Sequence, residues 1–228
     1  MKVKEGFDKG AKDYDSARKQ LIPCFDEFYA IALNVIPFHK KESIKVLDLG
    51  AGTGLFSHIV AQSYPKAEFV LCDLSGAMLE EAKSRFSKCE SKVEYVTKNY
   101  ATEPIDGKYD LVISALSIHH LTDLEKEALF NKVFFSLNEN GMFINVDQVL
   151  GDTALIEEHY RNEWLKQVKE KGVTDTSLEL ALERMKEDKM STLSQQLTWL
   201  KGTSFTEVNC WYKNYSFVVY SACKGGNI

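Results

Sequence analysis

The chain is poor in the features that mark several large classes of protein. Its five cysteines, Cys24, Cys72, Cys89, Cys210 and Cys223, are odd in number and far apart, with no C-x-x-C. Zinc sites and disulfide scaffolds use close, paired spacings, so neither a metal site nor a disulfide framework is expected. Reduced thiols, several of them acting as small apolar strand residues, fit a cytoplasmic protein. No apolar run approaches the roughly 18 residues of a membrane span, so no membrane partner is expected. The opening stretch MKVKEGFDKGAKDYD lacks the apolar core of a signal peptide. No run of five like charges occurs, and the formal net charge is −5. Nucleic-acid affinity rests on clustered Lys and Arg, so no nucleic-acid partner is expected either. Internal repeats and low-complexity tracts are missing too.

The rest is ordinary for one sizeable domain: 228 residues, 44% apolar and 27% charged. Short apolar runs at 44–50, 67–74, 92–97, 109–116 and 142–149 alternate with helical patterns at 54–64, 75–88 and 122–138. Ser75 is placed to cap the second helix. Thr122 and Glu125 form a capping-box pattern for the third, and Gly141 is expected just past its end. Strands rich in Val, Ile and Leu that alternate with helices imply a parallel sheet covered on both faces. Ligands of such sheets bind beyond the carboxyl ends of the strands. Residues 207–224 read as two strands joined near Lys213–Asn214, an antiparallel hairpin. Helices are expected over 152–170, 177–189 and 192–201. The first carries Ile156, Tyr160, Trp164 and Val168 at four-residue spacing, read first as core and second as a substrate wall. The expected fold is α/β: a Rossmann-like seven-stranded sheet, mostly parallel with a C-terminal antiparallel hairpin, helices on both faces and a helical cap over the cleft. Residues 1–228 form a single domain, with 1–40 as an N-terminal helical lid segment and 150–190 as a cap insertion.

The stretch VLDLGAGTGLFS (46–57) carries the chemistry. The phosphate loop of nucleotide hydrolases needs G-x-x-x-x-G-K-[ST], and no lysine follows Gly50 or Gly54. The dinucleotide fingerprint G-x-G-x-x-G requires glycine at position 55, which is Leu55. The pattern here is D-x-G-x-G-x-G, led by Asp48. A carboxylate at the mouth of the loop suits a ligand that is cationic nearby, such as one bearing an ammonium and a sulfonium. Asp73, which ends the second strand, is placed to accept from both hydroxyls of a ribose.

VLDLGAGTG followed by LCDLS resembles the first two motifs of the class I S-adenosylmethionine-dependent methyltransferases, and YDLVISALSIHHL (109–121) is similar to their fourth-strand motif. The overall pattern is closest to the small-molecule branch that includes quinone-biosynthesis methyltransferases. The resemblance implies S-adenosylmethionine as cofactor, S-adenosylhomocysteine as product and a small-molecule acceptor. It places Gly50, Ala51, Gly52 and Gly54 against the methionine part and Asp48 near its amino group. Asp73 would hold the ribose, Leu74 and Met78 would flank the adenine, and Ala115 would line the methionine side. The family commonly has an acidic residue after strand three for the adenine amino group; here Asn99 stands in its place, with Tyr100 beside it to stack or pack.

Methyl transfer is an in-line displacement, so alignment and water exclusion matter more than a fixed catalytic dyad. His119, and secondarily His120, are candidate general bases at the cleft mouth; otherwise they orient the loop. Tyr14 and Arg18 are candidate lid residues over the cofactor. Asp147, Gln148, Tyr160 and Trp164 are candidate substrate contacts. Two alternatives stand beside a methyltransferase: a cofactor-modifying enzyme resembling carboxy-S-adenosylmethionine synthase, and a non-catalytic S-adenosylmethionine-binding protein. Nothing in the pattern speaks to oligomeric state or to the acceptor atom (O, N or C).

Overall fold

The computed structural model describes residues 14–225, with side chains from Arg18 onward. In chain order the elements are α1 (Tyr14–Leu21), α2 (Phe25–Asn34), β1 (Lys45–Leu49), α3 (Leu55–Ser63), β2 (Glu68–Asp73), α4 (Gly76–Phe86), β3 (Val93–Thr97) and β4 (Tyr109–Ala115). After a 3₁₀ turn at Ile118–His120 come α5 (Asp123–Ser136), β5 (Leu137–Gln148), α6 (Ala154–Glu170), α7 (Asp175–Met185), α8 (Leu193–Gly202), β6 (Thr206–Asn214) and β7 (Phe217–Cys223). The strands form one sheet in the order β3-β2-β1-β4-β5-β7-β6. β1 to β5 are parallel, and β7 runs antiparallel to both β5 and β6.

Successive strand residues face opposite sides, and here both sides are buried. Val46, Phe69 and Leu111 join one core with α2, α3, α4 and α6; Leu47, Val70 and Val112 join the other with α5 and α8. Two buried faces explain why these strands read as continuous apolar runs rather than alternating ones. Ser75 caps α4 by accepting from the Met78 backbone N–H, and the Thr122–Glu125 capping box is present at α5. Order reverses between β1 and β4, which opens the cleft beyond their carboxyl ends.

Four local expectations are corrected. Gly141 lies inside β5, not past a helix. α5 stops at Ser136, and the β4–β5 register shifts between Tyr109 and Leu111. A Cβ at Gly141 would stand 2.8 Å from the Asn138 carbonyl and 3.1 Å from that of Asp110, so the shift needs glycine there. The hairpin turns at Tyr215–Ser216, two residues beyond Lys213–Asn214, with Tyr215 taking a φ of +52°. α2 is not part of a lid: Phe25, Phe28, Tyr29 and Ala32 are buried at helical spacing, and Phe28 packs edge-on to Phe217. Only α1 of the N-terminal segment reaches the cleft within the described residues. Finally, α7 ends at Met185 instead of 189, which leaves 186–191 as an irregular crossing that begins in a turn.

That crossing is pinned from below. Lys126 is fully buried, and its ammonium donates to the Lys189 carbonyl and to Ser191 Oγ (2.7 Å), which in turn donates to Asp123 (2.6 Å). Burial lowers the Lys126 pKa, against the pull of Asp123. Replacing Lys126 with Met removes the charged donor to the Lys189 carbonyl and to Ser191 Oγ. We expect a loss of roughly 2–3 kcal/mol in urea unfolding, the scale of hydrogen bonds to charged groups. An unchanged midpoint would mean that the crossing is held by other contacts.

Candidate functional site

β1 delivers the chain into the loop 50–54, where Gly50, Gly52 and Gly54 all take positive φ (+71°, +55° and +70°). At Gly50 a Cβ would stand 1.8 Å from Ser117 Oγ, so only glycine lets this loop close on the turn after β4. At Gly52 a Cβ would meet nothing within 4 Å among the described residues, because the backbone there faces an open cavity of about 310 Å³. Asp73 locks the loop from β2: Oδ2 accepts from the Gly52 N–H (2.8 Å) and Oδ1 from that of Ser75 (2.7 Å). Burial raises its pKa in spite of these donors.

Asp48 sits beneath the loop, 1% exposed. Oδ2 accepts from Ser57 (2.6 Å), whereas Oδ1 is buried without a hydrogen-bond partner among the described residues. Burial pushes its pKa up to about 7 against the Ser57 bond, and the charge of Asp73 adds to the rise. A buried carboxylate with an unsatisfied oxygen favours a cation beside it. The donor set therefore fits S-adenosylmethionine, with Asp48 for an ammonium and Asp73 for ribose hydroxyls.

Of the residues expected from sequence, Arg18, Gly50, Gly52, Asp73, Leu74, Met78, Asn99, Tyr100 and His120 line the cavity. Arg18 is buried, and its guanidinium donates to the Ala115 carbonyl (3.3 Å), fastening α1 across the end of β4. Tyr14 begins α1, but its side chain lies outside the described residues. Asn99 Oδ1 accepts from the Ala101 N–H (3.0 Å) and keeps a second lone pair. Tyr100 hydrogen-bonds Ser117 (2.6 Å). Ala51, Gly54 and Ala115 stand behind the wall; in place of Ala115 the next two residues, Leu116 and Ser117, form it. Leu116 holds a φ of +53°, a strained turn of the kind found where a strand end is bent into a site.

His120, not His119, reaches the cavity wall. His119 is 7% exposed, with Nδ1 2.5 Å from Asp147 Oδ1. Burial opposes a charge on His119, but the Asp147 carboxylate outweighs it and its pKa rises; burial lowers that of His120. Asp147, expected to contact substrate, is itself 1% exposed and fully engaged. It accepts from the His119 ring and backbone, from Asn145 and from the Gln148 N–H, so it positions His119.

Gln148, Tyr160 and Trp164 line a second cavity of about 520 Å³, together with Arg161, Met185 and Met190. The four-residue stripe thus divides: Trp164 and Val168 belong to the core, and Tyr160 with one edge of Trp164 faces the cavity. Trp164 also donates to the Leu21 carbonyl (2.8 Å), joining α6 to the end of α1. Sequence reasoning missed the crossing segment between the cavities, with Lys189 on the first and Lys186 and Met190 on the second. No local pattern marks it, since it is brought there by the early end of α7.

Residues 46–141 match the family model described as a methyltransferase domain. The carboxy-S-adenosyl-L-methionine synthase of Nautilia profundicola is 19% identical over 94% of this chain and 92% of that protein. The malonyl-[acyl-carrier protein] O-methyltransferase of Acetivibrio thermocellus is 29% identical over 60% of this chain and 45% of its own. Human N-acetylserotonin methyltransferase, solved with S-adenosylmethionine, superposes with a TM-score of 0.61 at 16% identity, over 94% of this chain and 58% of that one. The chain thus spans about half the length of these last two. Strand order, the D-x-G-x-G-x-G loop, Asp73 and the match agree: residues 46–141 carry a methyltransferase domain, and the chain is similar to the class I S-adenosylmethionine-dependent methyltransferases.

Proposed function

We propose that this chain transfers the methyl group of S-adenosylmethionine to a small-molecule acceptor with an apolar or aromatic body and an acidic group. The observation that carries the cofactor half is the buried, unsatisfied Asp48 oxygen under a three-glycine loop. The acceptor half rests on the second cavity, where Tyr160, Trp164, Met185 and Met190 offer an apolar lining. Arg161 stands in the same wall without an ion pair among the described residues, ready for a carboxylate or similar anion. When bound, S-adenosylmethionine supplies a methyl group already activated on a sulfonium. The protein's part is alignment: Asp48 and Asp73 hold two ends of the nucleoside, and Arg18 ties α1 across the cleft, which excludes water. His120, on the wall of the cofactor cavity, is the candidate to receive a proton from a hydroxyl or amine acceptor.

Calorimetric titration with S-adenosylmethionine, S-adenosylhomocysteine and NADH tests the cofactor. Micromolar binding of the two sulfur nucleosides and none of NADH is expected, with a tenfold to hundredfold loss in Asp73→Ala from two hydrogen bonds to a charged acceptor. Aromatic and aliphatic acids are then screened as acceptors. The mass of the nucleoside product separates methyl transfer from the cofactor carboxylation that names the Nautilia relative. No binding of either sulfur nucleoside at millimolar concentration overturns the reading.

A further inference from the structure

Beside the cofactor cavity, the adjacent His119 and His120 converge with Asp188, 68 positions further on. His119 Nε2 lies 3.6 Å and His120 Nδ1 lies 3.1 Å from Asp188 Oδ1, and all three atoms fall within 4.8 Å of one another. The side chains are 8%, 19% and 7% exposed, so the cluster is enclosed but reachable from the cofactor cavity that His120 lines.

We infer that His119, His120 and Asp188 form a binding site for a divalent first-row transition metal. Around an ion with ligands at about 2.0–2.2 Å, neighbouring donor atoms sit roughly 3.0–3.5 Å apart; the two distances to Asp188 are 3.1 and 3.6 Å, and small side-chain shifts bring all three atoms onto one ion. A hydrogen bond explains only the shorter contact. Across the 3.6 Å gap, the tautomer of His119 is set from behind: its Nδ1 points at the Asp147 carboxylate at 2.5 Å, so Nδ1 carries the proton and donates. In neutral His119, the form a metal binds, Nε2 presents a lone pair toward the Asp188 carboxylate, two ligand atoms aimed at one point. A carboxylate behind a ligating histidine is the usual outer-shell partner of a metal-bound imidazole. The third ligand is equally prepared. Lys189 N–H donates to the His119 carbonyl (2.8 Å), and Lys126 holds the Lys189 carbonyl and Ser191, so Asp188 is fixed against the histidine turn.

Two imidazoles and one carboxylate suit Zn²⁺, Fe²⁺, Co²⁺ or Ni²⁺ better than Ca²⁺ or Mg²⁺, which favour all-oxygen sets. Three protein ligands leave positions for an outside oxygen, the pattern of a working site and not of a structural one. The position beside the cofactor cavity suits an ion that holds an acceptor's oxygen; that role, unlike the site itself, rests on the methyltransferase reading. The expectation of no metal came from scattered cysteines and did not weigh a histidine pair joined to a residue 68 positions further on.

The test uses the full chain, stripped with chelator and titrated with Zn²⁺ and Co²⁺. One equivalent should bind with micromolar affinity or better, and Co²⁺ should give visible ligand-field bands. Asp188→Ala should weaken binding at least 100-fold, and Asp147→Asn about 10–100-fold by releasing the His119 tautomer. Far-UV circular dichroism checks that each variant folds. If Asp188→Ala does not fold, the Co²⁺ spectrum of the unaltered chain decides, since cysteine ligation shows intense charge-transfer bands that imidazole and carboxylate ligation lacks. No stoichiometric binding, thiolate bands, or full affinity in folded Asp188→Ala overturns the inference and leaves a protonated His119 between two carboxylates. S-adenosylmethionine is titrated separately into the stripped chain. Binding there without metal binding defeats only the metal site; the reverse defeats only the methyltransferase reading.

Discussion

Asp48→Asn should make the chain more stable at pH 8 while destroying its affinity for S-adenosylmethionine. The Asp48 carboxyl has an ordinary pKa near 3.8 when unfolded and about 7 when buried beneath the loop. A carboxyl raised on folding contributes stability that is complete below the unfolded value and lost as pH climbs through the folded one. By pH 8 the unaltered chain must bury a charge, and the difference of about three pH units corresponds to roughly 2–4 kcal/mol. Asn keeps an acceptor for Ser57 and carries no charge, so the variant should escape this loss. The gain should shrink as pH falls toward 4, where Asp48 is neutral in both states. Urea unfolding of both proteins from pH 5 to pH 8 measures it. A cationic ammonium beside Asp48 favours the ionised form, so binding to the unaltered chain should release a proton below pH 7 and strengthen as pH rises. Calorimetry in buffers of different ionisation enthalpy detects that proton. We expect affinity in the variant to fall more than 100-fold. Equal stability of the two proteins at pH 8 would show that Asp48 is not buried as a charge. Unchanged affinity would remove it from the cofactor site.

Gly50→Ala should abolish cofactor binding and weaken the fold together. The added methyl would stand 1.8 Å from Ser117 Oγ and 2.4 Å from Ser117 Cβ, far inside contact distance, at a φ of +71°. Either the loop or the turn after β4 must move, and both line the cofactor cavity. A loss of roughly 2–4 kcal/mol is expected, the range of overpacking combined with a left-handed alanine. Gly52→Ala is the comparison. Its Cβ meets no protein atom within 4 Å, so stability should drop by only about 1 kcal/mol for the positive φ. Its methyl projects where the nucleoside is expected, so binding should still be lost. Melting temperatures with and without S-adenosylmethionine distinguish the two. A Gly50→Ala protein with an unaltered ligand-induced shift would mean that the loop does not carry the cofactor.

The parts of this molecule that were legible in its sequence are those governed by neighbours in the chain. Alternating apolar strands and capped helices marked the sheet to within two residues at most ends, because side-chain periodicity and cap hydrogen bonds are local. The loop glycines were readable for the same reason: a strand followed by D-x-G-x-G-x-G has few physical explanations. Where an end was missed, the deciding contact was remote. Gly141 looked like a helix terminator, but its conformation answers to the Asp110 carbonyl on β4. The hairpin turn moved because pairing with β5 and β7 sets the register, and turn composition did not.

What the sequence determined by itself was the kind of ligand to expect: a nucleoside, from Asp48, the glycines and Asp73, all within 26 consecutive residues. What only the tertiary structure decided was who faces whom across the cleft. Arg18 meets the Ala115 carbonyl 97 residues away, Asp147 stands behind His119 instead of facing substrate, and Asp188 closes on the histidine pair. These meetings depend on how helices settle on a sheet and on where α7 happens to stop. Packing of that kind is set by the summed shape of many side chains, and no single stretch of residues carries a signal for it.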